Sequence, residues 1–600
     1  MAIQESFAPT RSGTHHAAAL PWRWMNMTVA WRRRVFALLN LVTVTALCLG
    51  MHGLLARGGL LTAETVMLGA FALTVPWLSI GFWNGVLGYL LDRRLGSDAA
   101  AFVTPALGRA AAGDAISASV AILLPVRNEN PRTWAARLRR LEAEIARSPW
   151  ADRFRYAVLS DTTDAEIATA EEAEVERLRA ASPTARIDYR RRARNTGYKA
   201  GNIYDHLEAC GDGFDFFIPL DADSEMGAAT VFRMVRVMQA SPEIGMLQSL
   251  VTGLPSRTFF TRAFQFGMRH GMRSYTLGAA WWQADCGPNW GHNQIIRTLA
   301  FREHCRLPVL PGRGPLAGHV LSHDQVEAVL MRRAGYEVRV MAEESRSHEE
   351  NPPSLVDFIG RELRWMNGNM QYVRLIGMPR LKPVSRMQLF LAIQMYLAAP
   401  AWMAFLLLGA WVATGTDQFG ALPAAPALGF FALLMLISLT PKLAGLAQVL
   451  ADPGRAAAYG GRGRVIRGFL AESALMMLVS PVVAFGLTLC GIGLVLGQRA
   501  SWKSQQRSRA RLAWREAARV LWPQTLGGVS LCAWLAAAAP YALPFAAPIL
   551  LALIGAIPLA VLTTAPAMGR WSRERGLFDI PEDRSGTPDG PCPSPSTTPA

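Results

Sequence analysis

The chain has 600 residues, of which 51% are apolar and only 18% charged, and its 61 Lys plus Arg against 45 Asp plus Glu give a net charge of +16. A soluble globular chain averages about 25% charged residues, so a purely soluble or disordered protein is excluded. The basic excess clusters beside apolar runs, which fits loops facing anionic lipid and argues against nucleic acid as a partner, and the seven cysteines lack the C-x-x-C spacing of a zinc ribbon.

Residues 1–34 form a polar, basic tail that ends in Trp31-Arg32-Arg33-Arg34. Residues 35–56 then run without a charge, too long for a signal-peptide core, and predict an uncleaved span. A second apolar run, 63–91, stops at Asp92-Arg93-Arg94. Arginines at the start of one span and the end of the next place both ends, and the region 93–386 that follows, in the cytoplasm.

From 118 to 385 the texture changes, with short β-runs alternating with helical stretches. Strands are predicted at 120–126, 155–161, 185–191, 214–223 and 244–250, with helices at 131–147, 198–210 and 227–240. That alternation predicts a mainly parallel α/β sheet, whose ligands sit beyond the carboxyl ends of the strands. The polar clusters Arg127/Asn128/Glu129, Asp161 and Asp221/Asp223 fall at those ends.

Spans return at 387–413 and 425–450, joined by TGTDQFGALPAA, which has no Lys or Arg and reads as an outside loop. Arg455, Arg462, Arg464 and Arg467 mark the next loop as inside, and 521–568 suits a hairpin of two spans turning near Pro540 and Pro544. Residues 469–497 are too few for two spans, yet the basic loop 500–519 beyond them belongs on the same side as the loop before. A re-entrant or interface-lying hairpin broken at Ser480-Pro481 satisfies both, so 387–568 is expected to hold four spans plus that hairpin. The Pro/Ser/Thr-rich end, 569–600, reads as a disordered cytoplasmic tail.

Several residue groups carry chemistry. Asp221 and Asp223 sit at i and i+2, so on a strand both carboxylates reach one site and would suit Mg²⁺ or Mn²⁺ on a diphosphate; a turn with a helix cap is the structural alternative. Arg190, Arg191, Arg192 and Arg194 precede Asn195-Thr196-Gly197-Tyr198-Lys199-Ala200-Gly201-Asn202, a pattern for phosphate at a helix N-terminus or for a solvated basic loop. His292, within Trp290-Gly291-His292-Asn293, could line a polar pocket, and Trp281 and Trp282 could stack on sugar or pack in a core. His323-Asp324 opens a helix, where Asp is a cap or a general base. Arg361 and Arg364 share a helix face beside Trp365, reading as phosphate and sugar contacts or as snorkelling interface residues.

The order of these groups, a strand-end Asp, K-A-G-N, D-x-D, an acidic helix start and R-x-x-R-W, resembles the processive family 2 glycosyltransferases and their GT-A domain. Compared with bacterial cellulose synthase, T-E-D becomes Ser322-His323-Asp324, the Gln of Q-x-x-R-W becomes Arg361, and no F-x-V-T-x-K gating segment follows the later spans. The blocks VLSDTTD, YRRRARNTGYKAGNI, LDADSEM, WGHNQIIR, GPLAGHVLSHDQVEAVLMRRAGYEV and SHEENPPSLVDFIGRELRWMNGN closely resemble the glucosyltransferase H family of osmoregulated periplasmic glucan synthesis.

That resemblance implies an inverting, inner-membrane transferase that polymerises glucose from UDP-glucose into a β-1,2-glucan backbone. It implies Asp221 and Asp223 as metal ligands, Asp324 as base, and Lys199 and Arg364 around the leaving group. Pro125, Arg127, Glu129 and Asp161 would meet the uridine and Trp365 the acceptor end, with Asn202, His292, His323 and Arg361 as further substrate-binding residues. The growing glucan, the lipid bilayer, acyl carrier protein and a periplasmic glucan-biosynthesis protein are the implied partners. A synthase of another β-polysaccharide (cellulose, chitin or hyaluronan) and a non-catalytic membrane scaffold stay open as alternatives.

Overall fold

The structure, a computed structural model, describes residues 27–56, 60–415, 424–498 and 511–584. Most of the outside loop expected at 414–425, of the basic loop at 500–519 and of the N-terminal tail lies outside the described residues.

The described residues hold ten strands in chain order: β1 (Val120–Val126), β2 (Phe154–Ser160), β3 (Arg186–Arg191), β4 (Phe216–Pro219), β5 (Ser224–Met226), β6 (Ile244–Ser249), β7 (Thr252–Gly253), β8 (Gln294–Arg297), β9 (Glu337–Met341) and β10 (Ser347–Glu349). Seven form one sheet in the order β3-β2-β1-β4-β8-β6-β9, parallel except for β8, which runs antiparallel to β4 and β6. A small sheet, β5-β10-β7, sits beside it. This is the mainly parallel GT-A arrangement expected, and β1 is apolar and buried along almost its whole length because helices cover both faces.

Local chemistry sets the boundaries. Asn130 caps helix Pro131–Ala146 by accepting from Arg132 N (3.0 Å), Pro131 opens its first turn, and Trp134, Leu138, Leu141 and Ile145 make the stripe that packs on the sheet. The register Val126↔Ser160 sets the ends of β1 and β2 side by side, so residues 127–129 meet residues 161–163. The predicted strand 214–223 is shorter than expected: β4 ends at Pro219. Asp221 O then accepts from Ser224 N (2.9 Å) in a turn, so Asp221 and Asp223 share a site through that turn and not through strand alternation.

Among the described residues, six helices are long and apolar enough to cross a membrane: Val29–Leu55, the one beginning at Thr62, Pro383–Thr414, one ending at Ala451, Arg462–Val495 and Trp514–Ala538. A seventh follows if the pair Pro540–Ile554 and Ala556–Leu562, bent by 56°, is one span. The hairpin expected within 469–497 is absent: Arg462–Val495 is one continuous helix of 34 residues, about 50 Å long, that passes straight through Ser480-Pro481. Proline removes one N–H, and Ser480 Oγ donates to Met476 O (2.7 Å) in the same turn. Gly468 of this helix abuts Phe266 on helix Phe259–Gln283, while Gly486 and Gly491 face Ile359 and Met366 on helix Leu355–Met370.

The disorder predicted from residue 569 is not found over residues 569–584. Residues 566–574 are helical, and Phe578 and Ile580 are buried. Asp579, Glu582 and Asp583 meet two buried arginines of helix Phe259–Gln283, Arg262 (3.0 Å to Asp579) and Arg269 (2.9 Å to Glu582). Charge pairing, invisible in a composition count, orders this segment.

Candidate active site

A cavity of about 830 Å³ runs along the carboxyl ends of β1, β2 and β4 and reaches the membrane helices. Of the expected site residues, Pro125, Arg127, Glu129, Asp161, Lys199, Asp221, Asp223, His292, His323, Asp324, Arg361, Arg364 and Trp365 all line it. Asn202 does not. It is fully buried, accepts from Arg190 at Oδ1 (2.6 Å) and donates to Leu159 O (3.0 Å), so it fastens the helix to β2 and β3.

At one end, Asn128 takes a positive φ of 57°, and its Oδ1 accepts from the backbone N–H groups of Thr163 (3.0 Å) and Asp164 (3.1 Å), locking the two strand-end loops together. Asp161 is buried and gripped in a bidentate pair by Arg192 (2.8 and 2.9 Å), which also reaches Asp205 (2.7 Å). The basic run therefore does not form a phosphate cluster. Arg190 and Arg192 are engaged within the fold, and Arg191 Nε donates to Thr162 O (3.1 Å).

Lys199 reaches the cavity, as do Asn195, Gly197 and Tyr198 of the same segment. Gly197, at φ +70°, starts helix Tyr198–Cys210, and Gly201 leaves room for the turn, since a Cβ there would lie 2.2 Å from Thr196 O. Lys199 Nζ pairs with the Asp221 carboxylate and donates to Gly291 O (2.8 Å). His292 joins the same cluster, with Nδ1 3.1 Å from Ser224 Oγ and Nε2 3.3 Å from Glu349. Burial disfavours the His292 cation, but Glu349 and Asp221 outweigh that and hold it above the ordinary histidine value. Glu349, at the end of the three-residue strand β10, and Glu350 just after it also line the cavity; sequence reasoning missed them because so short a strand leaves no periodic signal.

Across the cavity, Asp324 begins helix Asp324–Arg333. Burial raises its carboxyl above the usual aspartate value, Glu327 adds to this, and His323 and Lys199 restrain the rise. His323 Nδ1 bonds Glu327 Oε1 (2.9 Å). Gly368 lets helix Leu355–Met370 approach this segment: a Cβ there would lie 2.2 Å from Ser322 Oγ.

That helix starts at Ser354, whose Oγ accepts from Asp357 N (3.1 Å), and carries Arg361, Arg364 and Trp365 into the cavity. Arg361 is better placed against aromatic rings than against a phosphate. Its guanidinium lies 4.5 Å from the Trp365 ring centroid and 5.0 Å from that of Phe358, and it pairs with Glu362 (3.2 Å). Trp365 stays 45% exposed, so one face is available to a ligand. Trp281 and Trp282, in contrast, are buried packing residues. Trp282 stacks on Phe36 (4.4 Å), donates to Asn84 Oδ1 (3.0 Å) and also lines the cavity.

Asp221 and Asp223 present hard carboxylate oxygens to the cavity with no thiol in its lining, a donor set that fits Mg²⁺ or Mn²⁺. Among the described residues no cluster of three or more His, Cys, Asp or Glu could enclose a metal, so further ligands would come from a diphosphate and water.

The family model described as glycosyl transferase family group 2 matches residues 216–440, which include β4, the paired aspartates, Asp324 and Trp365. With the apolar helices on either side, the fold and site define a membrane-bound glycosyltransferase. The glucans biosynthesis glucosyltransferase H of Xanthomonas campestris pv. campestris (strain B100) is 33% identical over 572 residues, covering 92% of this chain and 87% of that protein. The protein of the same name from Vibrio cholerae serotype O1 (strain ATCC 39541 / Classical Ogawa 395 / O395) is 34% identical over 584 residues, 92% and 78% of the two chains. The chain belongs to the glucans biosynthesis glucosyltransferase H family. Among solved structures, a mannosyltransferase from Pyrobaculum calidifontis in complex with GDP-Man and Mn2+ aligns with 61% of this chain and 98% of its own, at 13% identity and a TM-score of 0.36.

Proposed function

We propose that this transferase moves glucose from UDP-glucose onto a growing β-1,2-linked glucan by one inverting displacement, on the cytoplasmic side of the bacterial inner membrane. The observation that carries the reading is the continuity of one cavity from the Asp161 end, past Asp221, Asp223 and Lys199, to Asp324, Trp365 and membrane-helix residues Trp77, Ile80 and Tyr396. A sugar nucleotide and a polymer end can meet only in such a space.

In this reading, the loop Pro125–Glu129 and Asp161 hold the uridine. Asp221 and Asp223 would hold Mg²⁺ or Mn²⁺, which when bound supplies positive charge at the diphosphate. Lys199 and Arg364 add fixed cations for the leaving group. Asp324 accepts the proton of the acceptor hydroxyl as that oxygen attacks the anomeric carbon and the bond to UDP breaks. Its raised pKa makes it a stronger base than a solvated aspartate. Trp365, backed by Arg361, offers a ring face to the acceptor sugar. Acyl carrier protein and a periplasmic glucan-biosynthesis protein are its partners in the same proposal, from family membership alone.

Because the far wall of the cavity is made of membrane helices, the reading includes export of the chain between them. Membranes given labelled UDP-glucose and Mg²⁺ should form a polymer of β-1,2 linkage, recovered from the lumen of sealed inverted vesicles. A polymer of another linkage refutes the product, polymer found only outside the vesicles refutes export, and a silent chain with every UDP-sugar refutes the reading altogether.

A further inference from the structure

Glu327 is a carboxylate that the proposed reaction does not use. It lies one turn beyond His323 on helix Asp324–Arg333 and is 4% exposed. Burying a carboxylate is costly unless it is paired, and its partner is the His323 ring: Nδ1 donates to Oε1 at 2.9 Å, while Glu327 N–H donates to His323 O at 2.9 Å. Two contacts from one residue fix both the backbone and the ring of His323. The Cε1–Nε2 edge of that ring is turned to Gly291, where a Cβ would lie 3.5 Å from Cε1 and 3.8 Å from Nε2. His323 lines the cavity next to Asp324, and Nδ1 is already engaged, so Nε2 is the ring nitrogen left for a ligand.

The charged groups acting on the ring are Glu327 and Asp324 on its own helix and Lys199 across the cavity, while the Tyr372 hydroxyl donates to the neighbouring Ser322 O (2.8 Å). Burial and Lys199 oppose a charge on His323, and the two carboxylates favour it and prevail. The position is also where the chain departs from the T-E-D of cellulose synthase, so an acidic side chain there is replaced by a hydrogen-bond donor.

We propose that Glu327 is a positioning residue that orients His323 through the Nδ1–Oε1 contact, so that Nε2–H donates to an oxygen of the acceptor's terminal sugar, beside the hydroxyl that Asp324 deprotonates. The ligand class is a glucosyl unit with vicinal hydroxyls, and the pair selects which hydroxyl faces the base. This rests on the reading of the site given above. No proton leaves the pair: the hydroxyl proton passes to Asp324, and His323 contributes a hydrogen bond only.

The test compares the full-length wild-type protein with Glu327→Gln, Glu327→Asp and His323→Gln, measuring glucose incorporation from labelled UDP-glucose across pH with the linkage of the product. Loss of the Glu327 charge should let His323 deprotonate earlier, moving the alkaline limb of kcat to lower pH, so that the rate on the alkaline side falls by a larger factor than on the acid side. Glu327→Asp should restore the limb in part, and His323→Gln should abolish it, raise the KM for acceptor and relax the linkage. A uniform loss at every pH that tracks a fall in Tm overturns the proposal and leaves Glu327 a structural residue. A wild-type protein that incorporates no glucose refutes the reading of the site instead, whereas an active wild type with an unmoved limb in Glu327→Gln refutes the dyad alone.

Discussion

Gly291 and Asp324 approach so closely that a Cβ on Gly291 would lie 3.2 Å from the Cβ of Asp324, at a φ of +79° that side chains other than glycine rarely adopt. Lys199 donates to the carbonyl of the same glycine while pairing with Asp221. The paired aspartates and the proposed base are thereby parts of one packed unit. Gly291→Ala should cost about 1–3 kcal/mol of stability through overpacking and strain, and lower incorporation more than UDP binding. Calorimetric binding of UDP beside the incorporation rate checks this.

Asp324→Asn should lower kcat by about 10²–10⁴-fold while leaving UDP affinity within a factor of about two. The same substitution should raise Tm near neutral pH. The sign follows from the raised carboxyl: between its unfolded and folded pKa values the folded state binds the extra proton, so stability falls as pH climbs through that window. The amide avoids that loss, and the gain should vanish below the ordinary aspartate range. Thermal melts of the wild type and Asp324→Asn at about pH 3 and about pH 7 check this.

Removing divalent metal with a chelator should abolish polymer formation and restore it on adding Mg²⁺ or Mn²⁺. Asp223→Asn should lose incorporation even at saturating metal, because a single carboxylate is left to hold the ion. Activity that persists in a chelator would refute the metal assignment.

Arg192→Met leaves the buried Asp161 carboxylate without its bidentate partner, which should cost about 3–5 kcal/mol. Unfolding should therefore respond more strongly to Arg192→Met than to Arg194→Met, since Arg194 is exposed. Denaturant midpoints of the two variants measure the difference.

Truncation after Leu577 removes Asp579, Glu582 and Asp583 and strands Arg262, which is 2% exposed at its side chain. The truncated protein should melt lower and lose activity without any change to the cavity residues, and Arg262→Met should offset part of the destabilisation. Equal melting of full-length and truncated proteins would show the ion pairs to be inert.

Helix Leu355–Met370 and the Ser322–Asp324 segment meet at Gly368, where the space is filled by Ser322. Gly368→Ala should displace Trp365 and Asp324 relative to each other and lower kcat without affecting UDP binding, a difference that stopped-flow nucleotide binding and steady-state rates separate.

Periodicity and short motifs carried much of this architecture. Apolar runs beside arginines predicted the membrane helices, and β1, β2 and β6 came within a residue of their predicted ends because a strand covered on both faces must be apolar throughout. The D-x-D pair, Lys199, Asp324 and Trp365, singled out in the sequence, all line one cavity. What the linear pattern could not decide is partnership over distance. Whether Arg192 meets phosphate or Asp161, whether Trp282 meets sugar or Phe36, and whether residues 579–583 are ordered by Arg262 and Arg269 depend on side chains far apart in sequence. Ser480-Pro481 looked like a break, yet packing against neighbouring helices keeps Arg462–Val495 continuous. Local pattern fixes which elements form, because hydrogen bonding and burial act along a helix or strand; tertiary packing decides which charges pair and which rings stay open to a ligand.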